Sequence, residues 1–410
     1  MIRLVTRATR ADEHLVRWLC GSIMDWQSVP PTQFEMETTL STYFNEFEGV
    51  CTDKDIRIIQ NASEAENFTY QPGATFFTLV CLPVLLFVGL TGNISFIYVV
   101  WRLPKMKTIT NFYLVGLSIA DSLFLISAIG SKLWMFIQSP LTPDDGPLGS
   151  LGCILVNFVS STTYIVSLIC ITLVSLERFW SVCRPHRKRD SNRKVLVIMA
   201  VSSLLSALLS ASFMPSFAAV FVECFDWPDE RPYNTWPKTR LFCEPIKRWH
   251  DLYTNGSQTI PFFISLVVNV ILYHRIIRGL HKSMKSIQGK VSARKERSAN
   301  TRNQVARMLV INGIVFFLCL APFELMSLFY MIADLRGGIY LAPREVIIIM
   351  LYFARAMSYL NSAVNPIIYT ALSVKYREAF KHVFIPNRCI RKRRNSATAS
   401  ASVFTYESKM

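Results

Sequence analysis

Three polar groupings stand inside or at the ends of long apolar runs, and each is suited to a different chemistry. Asp121, in Leu117-Ser-Ile-Ala-Asp121, lies in a run otherwise free of charge. A carboxylate in hydrocarbon is costly without a partner, so Asp121 points to a cation or a proton. Glu177-Arg178-Phe179 closes a second run. An arginine there can snorkel to the interface, while its neighbouring glutamate makes a charge pair that a conformational change can break. Asn365-Pro-Ile-Ile-Tyr369 sets Pro366 inside a third run. Proline removes one helix hydrogen bond and clashes with the preceding turn, and Asn361, Ser362 and Asn365 can satisfy the freed groups or bind water. Pro261 and Pro322 create similar weak points. No HExxH, GxSxG or P-loop pattern occurs, so the residue types point away from an enzyme.

The elements that must position these groups are membrane spans. Of 410 residues 51% are apolar and 18% charged, and 44 Lys and Arg oppose 28 Asp and Glu. A soluble chain carries about 25% charged residues, and a nucleic-acid protein has no use for long charge-free runs. Crossing a bilayer takes roughly 20 apolar residues, and seven segments qualify: about 74–100, 110–137, 152–182, 195–221, 259–280, 304–332 and 344–371. Unsatisfied backbone groups are excluded from hydrocarbon, so each reads as a helix. No internal repeat is evident, which disfavours inverted-repeat transporters. With the N-terminus outside, 29 of the 44 basic residues fall in inner segments, which fixes an N-out, C-in orientation. The expected fold class is an all-α membrane protein. Its parts are an extracellular tail at 1–73, a seven-helix bundle at 74–372, a short amphipathic eighth helix at 373–384 and a cytoplasmic tail at 385–410.

Cysteines and sequons agree with that topology. Cys153 begins the third span, and the second outer loop offers Cys243 and Cys224. An oxidising exterior favours a bridge pinning the loop to the third helix, with Cys243 the favoured partner and Cys224 the alternative. Cys20 and Cys51 are expected to pair within the tail. Asn61-Ala-Ser and Asn67-Phe-Thr are glycosylation sequons in the outer tail, and Asn255-Gly-Ser lies in an outer loop close to its span. Cys389, beside Arg391-Lys-Arg-Arg394, suits palmitoylation, with a free thiol as the alternative.

Together these motifs resemble the rhodopsin-like (class A) G-protein-coupled receptors. The matching residues are Gly92-Asn93, Leu117–Asp121, Cys153, Glu177-Arg178-Phe179, Pro261 with Tyr273, Phe316 with Cys319 and Pro322, and Asn365-Pro366-Ile-Ile-Tyr369. Lys375-Tyr-Arg-Glu-Ala-Phe380 follows as an eighth helix. The resemblance implies a ligand in the outer half, an outward swing of the sixth helix, and a cavity that admits a G-protein helix. Arg178 would then leave its inactive partner for Tyr273 and Tyr369. It also implies a sodium site at Asp121, Ser167, Asn361 and Asn365, with no cofactor required. Two positions depart from the pattern. Leu320 replaces the usual sixth-span tryptophan, so Phe316 or Phe323 becomes the relay, and the fourth span lacks its tryptophan and offers Ser202, Ser206 and Ser210 instead.

The ligand is read by elimination. Ser160 stands where amine receptors carry an aspartate, and no lysine lies in the seventh span for a retinal link. Lys132, Glu324 and Arg355 give a pocket of both signs, suited to a peptide, with Tyr164, Phe323 and Tyr359 lining it. The alternative is a Glu324–Arg355 pair that locks helices six and seven. The seventh span and Asn303-Gln-Val-Ala-Arg-Met-Leu resemble the thyrotropin-releasing-hormone and neuromedin U receptor branch. Expected partners are an extracellular peptide, a heterotrimeric G protein, arrestin, receptor kinases and membrane lipids, at the plasma membrane. A non-peptide ligand, a constitutively active receptor, and a transporter or channel are the competing readings.

Overall fold

The computed structural model describes Cys51 and residues 56–184, 191–287, 293–337 and 342–385. Seven helices in it are long and apolar enough to cross a membrane. They are α1 (Pro72–Arg102), α2 (Ile109–Gln138), α3 (Gly149–Cys183), α4 (Asn192–Ala211), α5 (Trp249–Ile287), α6 (Ala293–Leu335) and α7 (Arg344–Leu372). Helix α8 (Val374–Phe384) follows after the extended Ser373.

Local chemistry sets the ends. Thr108 caps α2 by accepting from the Asn111 N–H, and Ser191 caps α4 from the Lys194 N–H. Within α1 a π-turn over Phe77–Cys81 precedes Pro83, whose missing N–H disturbs the regular ladder. The burial pattern is that of a bundle in lipid. Leu196, Val201, Leu204, Leu205 and Leu208 of α4 are exposed, while Ser206 and Ser210 of the same helix are buried. Small polar residues thus pack inward, where helices approach closely, and large apolar ones face outward.

Several boundaries move. Helix α5 begins at Trp249 rather than 259, so Asn255 lies inside it and accepts from the Ser327 hydroxyl instead of standing in an outer loop. The fourth helix stops at Ala211, and Met214-Pro215-Ser216 makes a 3₁₀ turn. The apolar residues after it enter a strand, because proline cannot continue a helix and Val220-Phe-Val222 suits an extended chain.

That strand belongs to a small outer sheet that an all-α reading does not anticipate. Strands β1 (Ile56–Ile58), β2 (Ala219–Asp226) and β3 (Thr239–Glu244) pair in the order β1-β2-β3, the first pair parallel and the second antiparallel. Two disulfides hold it, Cys153–Cys243 to the start of α3 and Cys51–Cys224 to the tail. Cys51 therefore does not pair with Cys20, which lies outside the described residues. Beneath the sheet Ile59, Phe68, Leu141, Phe225 and Trp227 form a separate core. The Arg240 guanidinium lies 4.9 Å from the Phe68 ring centre and donates to Glu223 at 2.9 and 2.7 Å.

Candidate functional site

The middle of the bundle is organised by α2 and α7. Asp121 is buried, and its two oxygens take separate donors. Oδ1 accepts from the Ser362 hydroxyl at 3.0 Å and from Ser167 at 3.5 Å, and Oδ2 accepts from the Asn365 amide at 2.8 Å. Ser362 joins the set that sequence reading gave as Asp121, Ser167, Asn361 and Asn365. Asn361 makes no bond to the carboxylate; its Oδ1 is buried without a hydrogen-bond partner, as is the Ser118 hydroxyl one turn from Asp121. Two orphaned oxygens beside a carboxylate are the donor set a hard monovalent cation uses, so the residues fit sodium.

Pro366 cannot bond the carbonyl four residues before it, which is Ser362. Asn93 of α1 meets that carbonyl, donating at 2.9 Å, while its other amide hydrogen goes to the Gly89 carbonyl at 2.9 Å. The freed group is thus satisfied by Asn93 rather than by Asn361, Ser362 or Asn365. This ties α1 to the kink of α7 and explains a buried asparagine in an otherwise apolar span.

At the inner face Glu177 Oε2 accepts from Arg178 Nε and Nη2, each at 2.6 Å, and from the Thr110 hydroxyl at 2.7 Å. The pair is largely withdrawn from solvent, at 12% and 16% exposure, so it is a stronger restraint than a surface ion pair. A cavity of about 600 Å³ adjoins it, with Val305 of α6 and Tyr376 of α8 in its wall. Tyr273 is buried among Val182, Ile276, Leu280, Ala306 and Val310, with Phe179 alongside. Its hydroxyl accepts from Ser175 at 3.2 Å. Tyr369 is fully buried, its ring 5.3 Å from Phe96. Arg178 therefore stands with Glu177 and away from both tyrosines, and α5 and α6 are packed against α3. This arrangement, with the Glu177–Arg178 pair made and α6 packed on α5, is the closed state.

Helix α8 is anchored to this region by Tyr376, which donates to Asn111 Oδ1 at 2.6 Å, while the Asn111 amide donates to the Met106 carbonyl at 2.6 Å. Sequence reading missed Thr110 and Asn111, whose only signal was a polar pair at the start of an apolar run. Asn93 and Tyr376 are parts of the motifs quoted above, without the partners seen here.

The outer set divides in two. On one side Tyr164 of α3 donates a short hydrogen bond to Glu324 of α6, and Glu324 is wholly buried. Among the described residues Glu324 makes no ion pair with Arg355; its partner is the Tyr164 hydroxyl from the facing helix. On the other side Lys132 and Arg355 are half-buried and near enough to repel one another, above the buried Tyr359, whose ring lies 6.0 Å from Phe124. Ser160 exchanges a 3.1 Å hydrogen bond with Ser127, and Phe323 is half-buried. Phe316 and Leu320 are core residues, with Phe316 5.4 Å from the Phe317 ring. Asn61 and Asn67 are exposed, and Asn61 caps a short helix by accepting from the Glu64 N–H. Cys389 lies outside the described residues.

Seven spans, a carboxylate network between α2 and α7, and an ion pair at the inner end of α3 are one arrangement, and residues 92–369 match the model of the 7 transmembrane receptor (rhodopsin family). The chain belongs to that family. It is a receptor family and not one of enzymes. Among its relatives is Tachykinin-like peptides receptor 99D of Drosophila melanogaster, 26% identical over 87% of this chain and 68% of the relative. Somatostatin receptor type 5 of Bos taurus is 29% identical over 82% and 84% of the two chains. Somatostatin receptor type 3 of Homo sapiens is 28% identical over 77% and 68%.

Proposed function

We propose that this receptor binds an extracellular peptide in the outer half of the bundle and passes the signal through α6 to a heterotrimeric G protein. The observation that carries the reading is the largely buried Glu177–Arg178 pair at the inner end of α3, in a chain whose relatives are named as receptors for somatostatin and tachykinin-like peptides. Lys132, Ser160, Phe323, Arg355 and Tyr359 would meet the peptide, and the Tyr164–Glu324 bond would open as it enters. Glu177, Arg178, Phe179, Tyr273, Phe316, Pro322, Asn365, Pro366 and Tyr369 would carry the change inward. A sodium ion held by Asp121, Ser167, Asn361 and Asn365 would supply a positive charge that offsets the carboxylate and favours the closed state. The thyrotropin-releasing-hormone and neuromedin U branch is a finer reading that rests on the α7 motif and on Asn303-Gln-Val-Ala-Arg-Met-Leu of α6.

The same reading sets the receptor in the plasma membrane with its N-terminus outside, which the inner excess of basic residues supports. Glycans on Asn61 and Asn67, an acyl group on Cys389, and phosphorylation among Ser396, Thr398, Ser400, Ser402, Thr405 and Ser408 of the tail by receptor kinases ahead of arrestin belong to it too. The test is a calcium and cyclic-nucleotide screen of cells expressing the chain against a library of secreted peptides. A saturable response to one peptide, lost in Arg178→Ala with surface expression retained, is expected. A response to lipids or metabolites with silence to every peptide would overturn the peptide reading, and ligand flux without nucleotide exchange would favour a transporter.

A further inference from the structure

A cavity of about 1300 Å³ lies between the inner end of α6, the turn after α1 and helix α8. It is separate from the cavity beside Arg178 except at Thr301 and Lys375, which line both. One wall is apolar: Leu103 and Met106 of the turn, Met308 and Ile311 of α6, and Leu372 at the end of α7. Ile311 and Leu372 are 37% and 39% exposed, so this wall is open where the spans end. The same elements also make the lining basic. Lys105, Arg307 and Lys375 face a single carboxylate, Glu378, and none of the three cations forms an ion pair among the described residues.

Asn303 lines the same space. Its side chain is more than nine-tenths buried, yet neither its amide nitrogen nor its oxygen has a hydrogen-bond partner. Buried polar atoms are almost always satisfied, so an orphaned amide facing a cavity marks a place where a ligand supplies the missing partner. Burial, and then the nearby Arg178 guanidinium, pull the Lys375 ammonium below its ordinary value.

We propose that this cavity binds one anionic phospholipid of the inner leaflet. Its phosphate-bearing headgroup would meet Lys105, Arg307 and Asn303, and the start of an acyl chain would lie along Met308, Ile311 and Leu372. A soluble anion would leave the apolar wall uncovered, and a neutral lipid would leave the cations unanswered. The volume exceeds the roughly 300–1,000 Å³ of pockets for small molecules, as a headgroup with attached chain requires.

The site spans a moving part and a fixed one. Arg307, Asn303 and Met308 ride on α6, whereas Lys105 and Leu103 belong to the turn that Asn111 and Tyr376 hold against α8. A ligand that touches both sides in the closed state loses contacts when α6 swings out, so it favours the closed state. That second step rests on the receptor reading; binding of the lipid does not.

The experiment uses the full chain in nanodiscs of phosphatidylcholine, alone or with a minor fraction of phosphatidylserine or phosphatidylinositol 4,5-bisphosphate. Lipid retention is read by native mass spectrometry in the absence of agonist. A basic residue near an anionic headgroup contributes ~1 kcal/mol, so Lys105→Gln with Arg307→Gln should weaken retention roughly 30-fold. Asn303→Leu, which leaves every charge in place, should weaken it as well. The control neutralises Arg278 and Lys282, exposed at the inner end of α5. An equal loss in that control means diffuse surface attraction and overturns the site, as does retention that ignores Lys105 and Arg307. Displacement by soluble glycerophosphoserine at the lipid's own concentration would show a headgroup-only anion site and overturn the lipid. Basal nucleotide exchange should fall when anionic lipid is added; if retention behaves as expected and exchange does not move, only the coupling to α6 fails.

Discussion

Gly313 is where α6 comes closest to Tyr273, and adding one methyl group there tests the closed inner face directly. A Cβ built at Gly313 overlaps the Tyr273 hydroxyl and Cζ and lies 3.1 Å from Cε2. Carbon atoms rest at about 3.5–4.0 Å, so the phenol must move on the order of 2 Å. It cannot do so freely, because Tyr273 is 6% exposed among Val182, Ile276, Leu280, Ala306 and Val310. Moving it breaks the Ser175 bond, worth about 1 kcal/mol net, and overpacking a filled core costs typically 1–3 kcal/mol. Gly313→Ala should therefore penalise the closed state by about 2–4 kcal/mol. An outward swing of α6 relieves the overlap, so a penalty of ~2.8 kcal/mol, at 1.4 kcal/mol per decade, allows up to ~100-fold more basal nucleotide exchange. The assay is GTPγS uptake by a reconstituted G protein without agonist, paired with a thermal melt. The double variant with Tyr273→Leu, which removes the overlapping atoms, should recover the melting temperature. If Gly313→Ala alters neither basal exchange nor the melt, the close approach of α5 and α6 does not exist and the closed-face argument fails.

Tyr164→Phe removes the donor to buried Glu324 and should raise basal exchange several-fold; a lower melting temperature with unchanged exchange would make the bond a packing element only. Arg355→Ala should shift the agonist dose–response by at least tenfold while surface expression holds, and an unshifted curve would remove Arg355 from the ligand site. Asp121→Asn should abolish the effect of sodium on agonist affinity, measured against potassium at equal ionic strength. Asp144 is raised above the ordinary carboxylate range by burial, partly offset by donors at Ser139, Gly146 and Leu241. A raised acid favours folding most below its ordinary value, and that contribution is lost as pH rises through the raised one. The melting temperature should therefore fall as pH rises across that interval, and Asp144→Asn should remove that part of the dependence.

The spans were legible because hydrocarbon demands long apolar runs, and the runs name themselves. Their ends were not. Helix α5 starts at Trp249 and α6 at Ala293, each about ten residues beyond the apolar stretch, because a helix continues into water while hydropathy stops at the interface. Ala219–Phe221 was read as the end of a span, although it opens β2; a short apolar run fits either state. The Cys51–Cys224 bridge was out of reach for another reason. Pairing among several outer cysteines depends on distances that only the folded chain fixes, and the bridge ties Cys51 of the tail to Cys224 of β2. Asp121, Arg178 and Pro366 stood out as exceptions to their surroundings. Asn93 stood out less, since its role is to satisfy the carbonyl that Pro366 frees on another helix.

Leu320 shows how the outer and inner halves can communicate without the aromatic residue common at that place. It is buried beside Phe316 and Phe317, and Phe317 meets Phe262 of α5 at 5.7 Å. One turn outward on the same helix, Glu324 is tied to Tyr164 of α3. One turn inward of Phe316 is Gly313, against Tyr273. A leucine packs but cannot switch hydrogen-bond partners, so the polar event on α6 has to occur at Glu324 and the steric one at Gly313. Between them the aromatic layer is filled core, which transmits displacement because it has little room to absorb it. Loss of the Tyr164 bond would let α6 turn and carry Gly313 away from the Tyr273 ring. The departure at Leu320 thus leaves Glu324, one turn outward, as the polar tie between α6 and α3.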